Sequence, residues 1–213
     1  MIKVTLDEIK QLAANARQDI WNAAKKVGRE PKIYLHWSAG KYDQTFDDYH
    51  ISITGDGSIY VSTENFADNL SHTFGRNTGG VGIALCCAFG ATTDNLGDYA
   101  PTAKQIEVLA QATAAVADGL WLTIDLEHIM THGEAADNED GLQLDYRQLP
   151  DGENGQDMGM YGPKHDCERW DLEFLGTSDS PAYNPWATTW ATNGSRGGDV
   201  LRGKANWYRN QEG

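Results

Sequence analysis

Six histidines carry most of the reactive chemistry in this chain: His36, His50, His72, His128, His132 and His165. No phosphate-cradling G-x-x-x-x-G-K-[ST] loop, G-x-S-x-G nucleophile turn or C-x-x-C pair occurs in the sequence. Zinc takes imidazole nitrogen, thiolate and carboxylate ligands, and a hydrolytic site uses three of them with a fourth position open. His36 ends an apolar run just before Ser38-Ala39-Gly40, where side chains leave a core and line a cleft. His132 ends a second apolar segment and precedes Gly133. The two stand about a hundred residues apart, so only the fold can join them.

The other candidates have plainer readings. His128 and His132 share the spacing of a helical zinc pair, but Ile129 occupies the place where such a metalloprotease helix carries its glutamate. His50 alternates with Tyr49, so if Tyr49 faces a cleft, His50 faces away as a structural histidine. Cys86 and Cys87 lie inside an apolar run and read as small core residues. Asp137-Asn138-Glu139-Asp140 does not follow a calcium-loop spacing and reads as a solvated charge run.

Ordered elements must position these groups. Leu6, Ile9, Leu12, Ala13, Ala16, Ile20, Trp21 and Ala24 recur at helical spacing behind a Thr5–Glu8 capping box, and Gly28 and Pro31 end that helix. Lys32–Trp37 alternates as a strand. Tyr49–Ile53 and Ser58–Val61 flank Gly55-Asp56-Gly57, a hairpin signal. Gly80–Phe89 is apolar on both faces and predicts a central strand. Thr102 and Gln105 cap a second helix, which Gly119 closes. A short strand at Leu122–Ile124 and the Ile129–His132 segment follow. Residues 137–164 are acidic, Gly-rich and without periodicity, and read as an inserted loop. Order returns at Arg169–Leu175, where Trp170, Leu172 and Phe174 alternate as in a strand that carries Asp171, and a last helix is expected around Asp199–Asn210.

This succession predicts an α/β protein with a mixed central β-sheet flanked by helices. One domain is expected, with an N-terminal helical segment at 1–31 and a core at 32–175. A C-terminal extension at 176–213 carries the terminal helix and packs on the same domain.

Composition narrows the function classes. Over 213 residues, 31 acidic and 17 basic side chains give a formal net charge of −14. That excludes a general nucleic-acid binder, which needs a basic footprint, and a polybasic membrane-surface protein. No apolar run approaches the ~20 residues of a membrane helix. The opening Met1-Ile2-Lys3-Val4-Thr5-Leu6-Asp7-Glu8 turns polar too early for a signal peptide, so synthesis in the cytoplasm is expected. Oligomeric state leaves no mark in the sequence.

Several short motifs occur in one order: Leu35-His36-Trp37-Ser38, Tyr49-His50-Ile51-Ser52-Ile53, Gly55-Asp56-Gly57, Ser71-His72-Thr73, Gly80–Leu85, Pro101-Thr102-x-x-Gln105 and Thr131-His132. Together they resemble the zinc-dependent N-acetylmuramoyl-L-alanine amidases of the peptidoglycan-recognition and phage-lysozyme type. The resemblance spans roughly residues 32–175 and implies a zinc cleft that cuts the lactyl–L-alanine amide of peptidoglycan.

Carried over position by position, it implies His36 and His132 as the first two ligands and Asp171 as the third, with Arg169 two residues before it as the family's cation. The gap between second and third ligands is wider than usual, which leaves Cys167 and His165 as competitors for Asp171. Tyr49 matches a tyrosine that hydrogen-bonds the zinc-bound water or the tetrahedral intermediate, and His72 matches a histidine near the substrate. Glu134 reads as a partner that orients a ligand histidine. Some relatives carry a glutamate base on the central strand; Gly82-Ile83-Ala84-Leu85-Cys86-Cys87 has none. The implied protein is a phage or prophage endolysin that reaches the bacterial wall after release, with peptidoglycan or muropeptides as substrate. The competing readings are a non-catalytic peptidoglycan-binding module and a zinc peptidase cutting another amide of the same polymer.

Overall fold

In the computed structural model, which describes residues 1–92, 95–142, 162–163, 169–180 and 196–211, the elements follow in the order β1 (Ile2–Val4), α1 (Leu6–Lys26), β2 (Lys32–Trp37), β3 (Ile51–Ile53), β4 (Ile59–Val61), β5 (Gly80–Leu85), α2 (Ala103–Leu120), β6 (Ile129–Thr131), α3 (His132–Ala136) and α4 (Gly197–Gln211). The strands form one six-stranded sheet in the order β1-β4-β3-β5-β2-β6. β2 pairs parallel with β5 and β6, and β3 pairs parallel with β5. β4 is antiparallel to both β1 and β3, so the sheet is mixed, as the sequence predicts.

Alternation divides the sheet chemically. Ile33, Leu35 and Trp37 of β2 join Val81, Ile83 and Leu85 of β5 in the main core, with α1, α2 and α4. Tyr34 instead packs with Met130 and Ala135 in a separate small cluster. Side chains of a strand alternate between faces, so His36 shares Tyr34's side and turns away from the main core. The small residues Gly80, Gly82 and Ala84 pair with Tyr34's and His36's side of β2. They leave room there for the loop between β4 and β5. Gly82 is one such position: a Cβ on it would lie 2.7 Å from the His72 ring.

Both long helices carry their expected capping boxes, Thr5–Glu8 and Thr102–Gln105. α2, however, runs past Gly119 to Leu120, and Trp121 adopts the left-handed cap at φ 61°. Gly119 instead permits a close helix approach, since a Cβ there would meet the Ala13 Cβ and Lys10 carbonyl of α1, each at 2.6 Å. The strand expected at Leu122–Ile124 does not form, because its carbonyls are taken by α4 side chains. Arg209 donates to Leu122 O and Asn206 to Ile124 O. β1 has no counterpart in the sequence reading, being three residues long and largely exposed.

The 137–164 segment is described only at 137–142 and 162–163, and its first residues are not a solvated charge run. The Asp140 side chain is buried against Arg76 at 2.8 Å and Lys32 at 3.0 Å. Asn138 accepts from Arg76, and Asp137 and Glu139 face Arg196. No helix among the described residues is long and apolar enough to cross a membrane.

Candidate metal centre

β2 delivers His36 fully buried on the sheet face opposite the main helices. β6 runs parallel beside β2, and its last residue, Thr131, caps the short helix α3, whose first residue is His132. The two imidazoles thus meet edge to face, with Nδ1 of His36 3.1 Å from Nδ1 of His132. Asp171 Oδ2 stands 3.7 Å from the first nitrogen and 3.6 Å from the second. Tetrahedral ligands at ~2.0–2.1 Å from zinc stand ~3.3–3.4 Å from one another. The observed triangle brackets that edge length, so two nitrogens and one carboxylate oxygen fit a single ion.

The second nitrogen of His36 is also accounted for. Nε2 lies 3.2 Å from Thr73 Oγ1, which lies 2.8 Å from Nδ1 of His72. A threonine hydroxyl accepts one proton and donates another. Nε2–H of His36 to Thr73, and Thr73 O–H to His72, is the direction that leaves Nδ1 of His36 unprotonated and open to a metal. The backbone N–H groups of His72 and Thr73 both donate to Asn77 Oδ1, which pins this turn.

Burial pushes the His36 imidazolium down to about 4, with the Asp171 carboxylate opposing that shift. Burial alone would raise the Asp171 carboxyl, but hydrogen bonds to His132 and His36 hold it well below the usual carboxylate range. The resting site is therefore a neutral His36 beside a carboxylate anion. The Tyr49 ring sits 5.1 Å from that of His36, and burial, with Asp171 and Asp48 nearby, keeps its phenol protonated well above the ordinary value. Arg169 is exposed at the rim, its carbonyl facing Gly133 beside His132.

Asp171 does not ride on a strand, as the alternating Trp170, Leu172 and Phe174 would suggest. It occupies a turn, and Leu172 takes a left-handed φ of 59°. The apolar residues of this turn pack in different directions: Trp170 stacks edge-on against Trp37 at 4.6 Å, while Leu172 is fully buried in the main core.

Residues 11–143 match the sequence profile of the family described as N-acetylmuramoyl-L-alanine amidase. The chain belongs to that family. The match takes in His36, Tyr49, His72 and His132 of the amidase, and it ends before Asp171. A solved structure titled an endolysine N-acetylmuramoyl-L-alanine amidase LysCS, from Clostridium intestinale URNW, is similar at 18% identity with a TM-score of 0.37. The similarity covers 54% of this amidase and 71% of that chain. No curated protein matches.

The remaining candidates are distributed as follows. His72 is buried beside His36, against Gly82 and Thr73. Glu134 does not bond the ring of His36 or His132. Its carboxylate accepts from the Thr131 N–H and from Arg202, so it holds the backbone that carries His132. His50 is a structural group: Nδ1 accepts from Gly82 N–H and Nε2 donates to Asp68 O. His128 lies between Asp125 and Glu30, apart from the other histidines. Cys86 and Cys87 are buried, and burial pushes the Cys86 thiol up to about 12. His165 and Cys167 fall outside the described residues. Sequence reasoning gives Thr73 no role, and a hydroxyl next to a motif histidine is the signal that could have found it.

Proposed function

We propose that this amidase is a zinc hydrolase of peptidoglycan that cuts the amide between the lactyl group of N-acetylmuramic acid and L-alanine, as a phage or prophage endolysin. His36, His132 and Asp171 would hold the ion. The observation that carries this reading is the triangle of 3.1, 3.6 and 3.7 Å among their ligand atoms. Those three residues are also a metal-capable cluster by donor type.

When bound, zinc supplies Lewis acidity that polarises an amide carbonyl and acidifies a water towards neutral pH. The chain's own residues do the rest. The Asp171 carboxylate and two imidazoles would form a donor set with a single negative charge. Thr73 fixes which His36 nitrogen faces the centre. Tyr49 keeps its proton and is a donor for the oxygen on which charge develops. Arg169 brings a guanidinium charge to the rim of the same site. Family membership supports the bond assignment.

Two measurements test the reading. Elemental analysis after dialysis against a weak chelator should find about one zinc per chain, the stoichiometry of a three-ligand catalytic site. Mass spectrometry of digested peptidoglycan should find free lactyl ends with new L-alanine N-termini. Activity that persists in zinc-free protein would sink the metal assignment, and new termini elsewhere in the stem peptide would sink the bond.

A further inference from the structure

We propose that Arg196 and the first turns of α4 are a clasp that completes the metal centre, with Arg196 and Arg202 as positioning residues for Asp171 and His132. The inference rests on the reading of His36, His132 and Asp171 as metal ligands. Arg196, Gly197, Gly198 and Arg202 lie beyond the 11–143 family match.

Two of the three ligands sit on segments that cannot hold their own shape. His132 opens a five-residue helix, far shorter than an isolated helix needs to persist in water. Asp171 lies in a turn beside a leucine in the left-handed region, a conformation that persists only where surrounding structure imposes it. Each ligand is followed two residues later by a buried glutamate, Glu134 and Glu173, both 1% exposed. Each glutamate is gripped by an arginine of the same short stretch of chain.

Arg202 meets Glu134 fork to fork, Nη1 to Oε1 and Nη2 to Oε2, both at 2.8 Å. Its Nη1 also donates to Ile129 O of β6 at 3.0 Å. Arg196 donates from Nε to both Glu173 oxygens at 2.9 and 3.1 Å, and from Nη1 to Glu139 at 2.8 Å. The backbone joins in, since Gly197 N–H donates to Glu173 O at 2.7 Å.

The glycines supply a separate observation. A Cβ on Gly197 would overlap Leu172 O, and one on Gly198 would overlap Glu134 Oε1. The backbone of α4 therefore presses directly on the residue after Asp171 and on the carboxylate two residues after His132. The bidentate Arg202–Glu134 contact is directional, and Arg196 shares its Nε–H between the two Glu173 oxygens, so both set position as well as proximity. Buried ion pairs of this kind seldom add net stability over an apolar packing, so positional control is the role that remains for them.

The test is zinc affinity, read by competition with a chromogenic chelator, in Arg196→Lys, Arg202→Lys, Gly198→Ala and Glu134→Gln. Measurements are made at a temperature where circular dichroism of each zinc-free variant matches the wild type. Arg209→Lys, on the same helix and directed at Leu122 O, is the control. Zinc should bind ~10–100-fold more weakly to the four variants, the usual effect of loosening groups behind a metal ligand. Cobalt-loaded variants should show altered visible bands, and Arg209→Lys should behave as wild type. Glu134→Gln keeps the helix cap and Gly198→Ala keeps every charge, so they carry the test if an arginine variant does not fold. Wild-type zinc affinity in all folded variants would overturn the clasp and leave the metal reading intact. A wild-type protein that binds no zinc would overturn both.

Discussion

Replacing Tyr49 by Phe removes one oxygen and leaves the ring packed against His36 at its 5.1 Å separation. If that hydroxyl steadies developing charge, kcat should fall by ~10²–10³, with zinc content and melting temperature near wild type. Arg169→Ala should do the same, because an exposed side chain at the rim contributes little to folding. Steady-state kinetics on a soluble muropeptide checks both, and a normal kcat in either variant would remove that residue from the chemistry. At this scale the meeting of His36 and His132 is partly legible, since each histidine closes an apolar segment that a strand would end. Thr73 is not, because its bridging depends on a loop whose path no periodicity encodes. Arg196 and Arg202 are hidden for another reason. An ion pair between Arg202 and Glu134 spans 68 residues, and such pairs leave no local spacing to read.

Among the elements, two glycines make opposite forecasts. Gly119→Ala would force α2 away from α1 and should cost ~1–3 kcal/mol of stability, the usual penalty of overpacking. Its zinc affinity should not change, as that contact lies in the main core. Gly82→Ala would instead drive a methyl into the His72 ring, moving Thr73 and the nitrogen it orients. Zinc affinity should then drop ~10-fold or more. Thermal melts beside zinc titrations separate the two, and equal affinity in both proteins would contradict the His72–Thr73 link. The long elements are readable because capping boxes and helical spacing agree at Thr5–Glu8 and Thr102–Gln105. The turn at Asp171 is misread because a buried turn and a buried strand can share one apolar alternation. Gly119 is misread as a stop because a glycine for close approach and a glycine for a cap look alike in sequence.

The whole molecule should respond to acid in a direction set by its buried imidazoles. Burial lowers His36 to about 4 and also holds His50 and His72 below their ordinary value. Between those values and ~6.5 the unfolded chain binds protons that the folded chain does not, so stability rises with pH. Their contribution is present above ~6.5 and is lost as pH falls through the folded values. His128 opposes them. Burial would lower it, but hydrogen bonds to Glu30 and Asp125 leave it raised. Its contribution is present below ~6.5 and is lost as pH climbs through the folded value. Zinc-free protein should therefore melt at lower temperature at pH 5 than at pH 7.5, and His128→Gln should steepen that loss. A melting temperature that stays level or rises on acidification would contradict the assignment. The order in which the centre's parts occur along the chain has a consequence for biosynthesis. A ribosome releases His36 first, then His132, then Asp171, and only afterwards Arg196 and the glycines and Arg202 of α4. β2 meanwhile waits for β6, its parallel neighbour, and such long-range pairing is slow. A nascent chain thus carries every donor atom before it carries the groups that aim them. If these residues hold zinc as proposed, metal capture belongs to the last moments of folding, and a product truncated before residue 196 would be made with the donor atoms but no grip.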